Sequence, residues 1–385
     1  MSKDWKSPLI RAGHRIESRW DRLRRRVKTR LGWLDPVTIL PFRGHGDRTR
    51  VWLKGRVLEA GGLEQPGRED HLWTTLRHMY HRFESDEVPG ARVRATFDGR
   101  AVDVVSDEEG YIEVAFDGLD GPAPAPESRW REVRLELQEP LRAGQGPTVV
   151  RGQVLIPPPR ARFGVISDVD DTILKTGATS LFSNLRTTLL NTAEARLPFM
   201  GVAAFYRALE HGTGRGAGAG EGNPIFYVSS SPWNLYDILE RFKLLNGIPL
   251  GPLFLRDLGW EPDRLIKGTH AQHKIGTIER LLAFYPGLSF VLIGDSGQHD
   301  AMIYKEIVHR HPGRIAAVYI RDVTGGAHDG EIRALFEEVQ GERTEVVISP
   351  DLLAAAKHAA AQGLVEAEAV AAVRAEIEAD RRAGA

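Results

Sequence analysis

Two kinds of hydrophobic spacing divide the chain. Between residues 48 and 156 apolar and polar positions alternate, which predicts strands over Val51–Leu58, Ala91–Phe97, Tyr111–Phe116, Trp130–Leu137 and Val149–Ile156. Asp98-Gly99, directly after one of these runs, is a hairpin signal. A helical segment interrupts the series, with Leu72, Leu76, Met79, Tyr80 and Phe83 at helical spacing. Its His71, His78 and His81 have no carboxylate at ligand spacing and read as surface histidines rather than a metal cluster. Strands this dense predict a small antiparallel β-sandwich over residues 35–157, closed by the stiff break Pro157-Pro158-Pro159.

Beyond Arg162 the pattern changes to continuous apolar runs at Phe163–Ile166, Ile225–Val228, Leu253–Leu255, Phe290–Ile293 and Ile315–Ile320. Helical spacing lies between them, around residues 181–193, 199–211, 233–245, 273–284 and 299–310. Apolar strands alternating with helices predict an α/β domain over 158–349, a parallel sheet with helices on both faces. Ligands of such sheets bind beyond the carboxyl ends of the strands. The glycines of residues 212–223 follow no strand and precede no Lys-Ser/Thr, so they read as a surface loop and not a phosphate loop. Residues 350–385 form an alanine-rich helical tail broken at Gly363.

Charge adds a feature that the net value of −1 hides. Residues 1–34 hold eleven Lys or Arg against three carboxylates, while the rest of the chain holds 40 basic and 49 acidic residues. Within that arm Ile16, Trp20, Leu23, Val27 and Leu31 fall on one helical face. A basic amphipathic helix suits an anionic membrane surface, or docks on the acidic body; nucleic acid is the weakest of the three partners. With no cysteine, the chain has no disulfide scaffold and no thiolate chemistry. No stretch approaches the roughly 18–20 apolar residues of a membrane span, and no secretory h-region opens the chain. The expected setting is cytoplasmic, with the arm peripheral on the inner face of the membrane.

The candidate chemistry sits where the second set of strands ends. The first run leads into Asp168-Val169-Asp170-Asp171-Thr172, the second into Ser229-Ser230-Ser231-Pro232, and the fourth into "GDSGQHD" with Asp295 and Asp300; Lys274 opens the helix before the fourth. Crowded carboxylates repel one another and lose hydration. A hard divalent cation shared by Asp168 and Asp295 offsets that repulsion, and Mg²⁺ suits a site of few carboxylates. Asp168 would attack phosphorus, and Asp170 would protonate the leaving alkoxide and later deprotonate water. Ser229 would hydrogen-bond a phosphate oxygen, and Lys274 would add positive charge where the transition state gathers negative charge. "GDSG" also surrounds the serine of chymotrypsin-like proteases, but here it ends a parallel-type strand in a chain without disulfides.

"DVDDT", "IFYVSSSP", "HKIGTIERLL" and "FVLIGDSGQHD" resemble, in order, the four motifs of the haloacid dehalogenase superfamily. More narrowly, "SDVDDTI", "YVSSSPWNLYDIL", "FLRDLG" and "YIRDV" resemble the actin-patch-protein-type phosphatidate phosphatase catalytic domain. That resemblance implies a Rossmann-like fold of haloacid dehalogenase type and a Mg²⁺-dependent phosphatase. Asp168 would be nucleophile and metal ligand, Asp170 acid/base and a metal ligand through its carbonyl, and Asp295 a metal ligand. Thr172, Ser229, Ser230 and Lys274 would hold the phosphate, and Asp300 would orient Lys274 or a metal-bound water. The substrate implied is phosphatidate or a related lipid phosphate. A soluble phosphomonoester or phosphoprotein, and a membrane-associated scaffold without activity, are the alternatives. Leu181, Phe182, Leu185, Leu189 and Leu190 either line an acyl-chain approach or pack in the core.

Overall fold

The computed structural model describes residues 35–59, 87–120, 129–142, 144–169, 200–213, 222–256, 270–296, 300–337 and 344–383. The basic arm, the histidine-bearing helix, the helix expected at 181–193 with its leucines, and Asp170, Asp171 and Thr172 lie outside them.

The alternating half of the chain forms a mainly antiparallel eight-stranded sheet: β1 (Val37–Pro41), β2 (Gly44–Gly46), β3 (Val51–Glu59), β4 (Arg92–Phe97), β5 (Arg100–Val105), β6 (Tyr111–Phe116), β7 (Trp130–Glu139) and β8 (Val149–Leu155). The expected Asp98-Gly99 hairpin joins β4 to β5, with φ of 45° and 78° at the two turn residues. Two positive φ values twist a tight turn to match its flanking strands, which is why glycine follows aspartate here. Alternate residues such as Leu53, Val93, Val114, Val133 and Val154 point inward and form one apolar cluster. Three strands of this sheet went unrecognised in the sequence: β1, the three-residue β2, and β5, whose alternate residues are exposed.

The second sheet is parallel throughout, in the order β11 (Leu253–Arg256), β10 (Ile225–Pro232), β9 (Phe163–Asp168), β12 (Ser289–Asp295), β13 (Ile315–Arg321), β14 (Glu345–Ser349). Strand residues alternate between two clusters: Val165, Tyr227, Val291 and Tyr319 enter one, and Ile166, Val228, Leu292 and Val318 the other. Helices α1 (Val202–His211), α2 (Tyr236–Leu245), α6 (Leu352–Ala361) and α7 (Glu368–Ala383) cover the first face. Helices α3 (His270–Phe284), α4 (Asp300–Arg310) and α5 (Asp329–Glu337) cover the second. Burial on both faces is why these strands read as unbroken apolar runs. The alanine-rich tail packs Ala355, Ala356, Ala359, Val373 and Ile377 into the first cluster, so its small residues serve close helix packing.

The two sheets are tied by buried side chains. Phe42 of the first half stacks on Trp233, 5.1 Å between centroids, and Arg43 donates to Glu240 at 2.7 Å. Glu240 also pairs with the buried Lys243, 2.5 Å away. Removing one partner from a buried ion pair strands the other, so this contact fixes how the halves meet.

Candidate active site

Parallel strands with matched register bring their carboxyl ends to one level. Asp168 closes β9 opposite Val228 of β10, and Ser167 pairs with Ile293 of β12, two residues before Asp295. Ser229 thus follows the residue beside Asp168, on the same rim. Helix α3 descends from this rim with Lys274 in its first turns, and α4 begins there with Asp300. A carboxylate in the first turn of a helix is favoured by the unpaired N–H groups and the helix dipole.

Lys274, Asp168, Asp295 and Asp300 are all buried. Lys274 Nζ lies 2.6 Å from Asp168 Oδ1 and 2.6 Å from Asp300 Oδ1, forming an ion pair with each and donating a hydrogen bond to Asp300. The second oxygen of Asp300 accepts the backbone N–H of Asp295 at 3.4 Å. Burial works against a charge on Lys274, but Asp168 and Asp300 outweigh it and raise its pKa, so the side chain stays an ammonium. One ligand oxygen from each of Asp168, Asp295 and Asp300 falls within 4.8 Å of the others. Three buried carboxylates against one ammonium leave negative charge in a dry setting, and an all-oxygen donor set suits a hard divalent cation.

The sequence expectation that Asp168, Lys274, Asp295 and Asp300 share one rim therefore holds in space. Asp300 contacts Lys274, one of its two expected partners. Ser229 is buried and its Oγ accepts the N–H of Ser231 at 2.9 Å; half-buried Ser230 lies between them. Asp170 and Thr172 are outside the described residues.

Three supports were missed. Tyr206, inside an apolar helix pattern, bonds Ser167 Oγ at 2.6 Å, and Ser167 in turn donates to the carbonyl of Asp168 at 2.7 Å. Burial raises the Tyr206 pKa, keeping it a hydroxyl. Gly294 is required by a close approach: a Cβ there would stand 2.8 Å from Asp300 Oδ2 and 2.7 Å from the Tyr304 ring. Past β13, Asp322 accepts from Ser296 Oγ at 3.1 Å, Thr324 N at 2.8 Å and Gly326 N at 2.6 Å. These bonds overcome burial and lower its pKa, and an aspartate two residues before a threonine is their sequence signal.

Comparison with known proteins places this rim. Residues 163–322 match the model of the family described as phosphatidate phosphatase APP1, catalytic domain. This segment, under half of the chain, is similar to that family. Phosphatidate phosphatase APP1 of Saccharomyces cerevisiae is 31% identical over 189 residues, covering 48% of this chain and 30% of that protein. An uncharacterised Schizosaccharomyces pombe protein is 26% identical over 174 residues, covering 43% and 26% respectively. The chain thus spans less than a third of the length of these two relatives. A solved carbohydrate acetylesterase from Xanthomonas citri aligns over 80% of this chain and 66% of its own, at 12% identity and a TM-score of 0.28, too remote to inform fold or activity. Asp168, Ser229, Lys274, Asp295 and Asp300 all fall inside the matched segment.

Proposed function

We propose that this chain is a Mg²⁺-dependent phosphatase that hydrolyses phosphatidate or a related lipid phosphate to the dephosphorylated lipid, diacylglycerol for phosphatidate, and inorganic phosphate. The observation that carries the proposal is the buried group in which Lys274 links Asp168 to Asp300 beside Asp295, within the matched catalytic segment. The parallel strand order, with β9 between β10 and β12, agrees with a Rossmann-like domain of haloacid dehalogenase type over 158–349, preceded by a sandwich-like unit over 35–157 and followed by the 350–385 tail.

In this mechanism an oxygen of Asp168 attacks phosphorus and the bond to the lipid oxygen breaks, leaving a phosphate on Asp168. Asp170 gives its proton to the departing alkoxide, then takes one from the water that attacks the same phosphorus. That second step frees inorganic phosphate and restores Asp168. Thr172, Ser229 and Ser230 donate to phosphate oxygens. Lys274, held by Asp300 and kept charged, faces the negative charge that develops on them. Asp168, Asp295 and the carbonyl of Asp170 would hold Mg²⁺, which when bound neutralises phosphate oxygen and offsets the carboxylates.

The basic arm adds a membrane surface to the proposal: eleven cations interleaved with tryptophans attract anionic lipid. Among the described residues no helix is long and apolar enough to cross a membrane. Phosphate release from phosphatidate in mixed micelles, set against a panel of soluble phosphomonoesters, tests the substrate class. Preference for the soluble esters would transfer the chemistry to another substrate. Deleting residues 1–34 should weaken sedimentation with anionic liposomes, and undiminished binding would remove the arm as the anchor.

A further inference from the structure

A cavity of about 730 Å³ separates the first sheet from β11 and α3, a size typical of ligand pockets. Its walls come from both halves of the chain: His45 and Trp52 on one side, Phe254, His273, Leu281 and Phe284 on the other. Nothing in the phosphoryl-transfer chemistry above uses it.

Its position relative to the rim follows from register and helix rise. His273 directly precedes Lys274, and Phe284 lies ten residues further along α3, about 15 Å down the helix axis. Across the sheet, Asp168 pairs with Val228 and Val228 with Phe254, which places Phe254 two strands, about 10 Å, from Asp168 in the same row. The cavity is therefore a groove that begins beside the catalytic rim and runs away from it along α3.

Charged and aromatic groups share its lining. At the rim end stand Arg256, which pairs with Pro232 across the strand ends, and Lys54, whose Nζ lies 4.8 Å from the ring centre of Trp233 and 3.8 Å from Glu113 Oε1, also on the lining. Further along, Trp52 stacks on Phe254 with 6.2 Å between centroids and 12° between planes, and His45 meets Phe284 edge-on at 4.5 Å. Trp52, Phe254 and Phe284 are only half-buried, so they leave aromatic surface facing the groove. Burial holds His45 neutral, with its pKa lowered to about 3, so this wall carries no histidine charge near neutral pH. The Arg50 guanidinium lies over the Phe284 ring, 4.2 Å from its centre, so the far end carries a cation too; the aromatic surface between the two ends matches an apolar chain whose phosphate sits at Asp168.

We infer that this groove takes the acyl chain of the phosphomonoester substrate, so that the first sheet forms one wall of the substrate site. The inference rests on the lipid-phosphate proposal and adds which residues read the lipid. The test uses the full chain with Mg²⁺ and lysophosphatidates from hexanoyl to tetradecanoyl, each below its critical micelle concentration, with glycerol 3-phosphate as the chainless ester. In the wild type, kcat/KM rises roughly threefold per methylene as the chain fills the groove. Ala283→Trp places bulk in the groove from an exposed helical position, and Trp52→Ala removes its wall; both lower the ratio of long-chain to glycerol 3-phosphate turnover by roughly tenfold or more. If the wild type shows the rise and Ala283→Trp keeps it, the groove is not the chain site while the lipid-phosphatase proposal stands. If the wild type shows no rise, the lipid proposal fails and the inference with it. Calorimetry supplies a readout without turnover: tetradecylphosphonate should bind the wild type roughly tenfold or more tighter than methylphosphonate. Equal binding of the two overturns the inference.

Discussion

Lys274 is shared between two carboxylates, with its Nζ 2.6 Å from Asp168 and 2.6 Å from Asp300. Asp300 thus sets the direction from which the ammonium approaches Asp168. Asp300→Asn keeps the shape and weakens that hold, so turnover should fall about 10–100-fold. Lys274→Met removes the cation itself and should cost more, about 10²–10³-fold in kcat. Steady-state rates on a soluble phosphomonoester, with circular dichroism to check the fold, give the comparison. The reverse order would mean that Asp300 acts directly on the substrate.

Three buried carboxylates within 4.8 Å should make stability depend on a divalent cation. At about 100 times its Kd, Mg²⁺ should add about 2.7 kcal/mol, seen as a higher Tm that EDTA reverses. Asp295→Asn removes a ligand and some repulsion together. That variant should lose the Mg²⁺ response while its metal-free Tm stays at or above that of the wild type. An unchanged wild-type Tm across the Mg²⁺ titration speaks against a metal at these residues.

Gly294 tests how tightly the fourth strand end is built. An added methyl would meet Asp300 Oδ2 at 2.8 Å and the Tyr304 ring at 2.7 Å. Gly294→Ala should therefore cost about 1–3 kcal/mol by denaturant unfolding. Activity should fall beyond what that instability explains, because Asp300 must move away from Lys274. Full activity in the variant would show that the Asp300 position does not matter.

His45 gives a pH signature remote from the carboxylate rim. Burial lowers its pKa from 6.5 to about 3, while its Nδ1 lies 3.1 Å from the Tyr285 hydroxyl. Between these values the unfolded chain holds the extra proton. This contribution to stability is flat above pH 6.5 and declines as pH falls toward 3, by up to about 1.4 kcal/mol per unit. His45→Phe should make the acid limb of stability shallower. The same slope in the variant would place the acid sensitivity elsewhere.

Much of this site was legible because parallel strands announce their ends. Apolar runs buried on both faces stop where Asp168, Ser229 and Asp295 begin, and their order in the chain is enough to gather them at one rim. Of the pairings between distant residues, only Lys274 with Asp300 was expected, and that through the family resemblance. Lys274 meets Asp300 only through the packing of α3 beside α4, and Tyr206 reaches Ser167 from a helix whose apolar spacing conceals a polar task. Likewise β2 has three residues and no hydrophobic period, yet it carries His45 to the groove. A motif names the residues that do chemistry, whereas a wall built from two sheets appears only once the chain has folded.

The central claim is most directly tested by phosphate release from phosphatidate in mixed micelles, measured with Mg²⁺ and with EDTA for the wild type and Asp168→Asn. The account predicts Mg²⁺-dependent release by the wild type, faster than from soluble phosphomonoesters, and none by a folded Asp168→Asn protein. Release that persists in Asp168→Asn, or that ignores Mg²⁺, would contradict it.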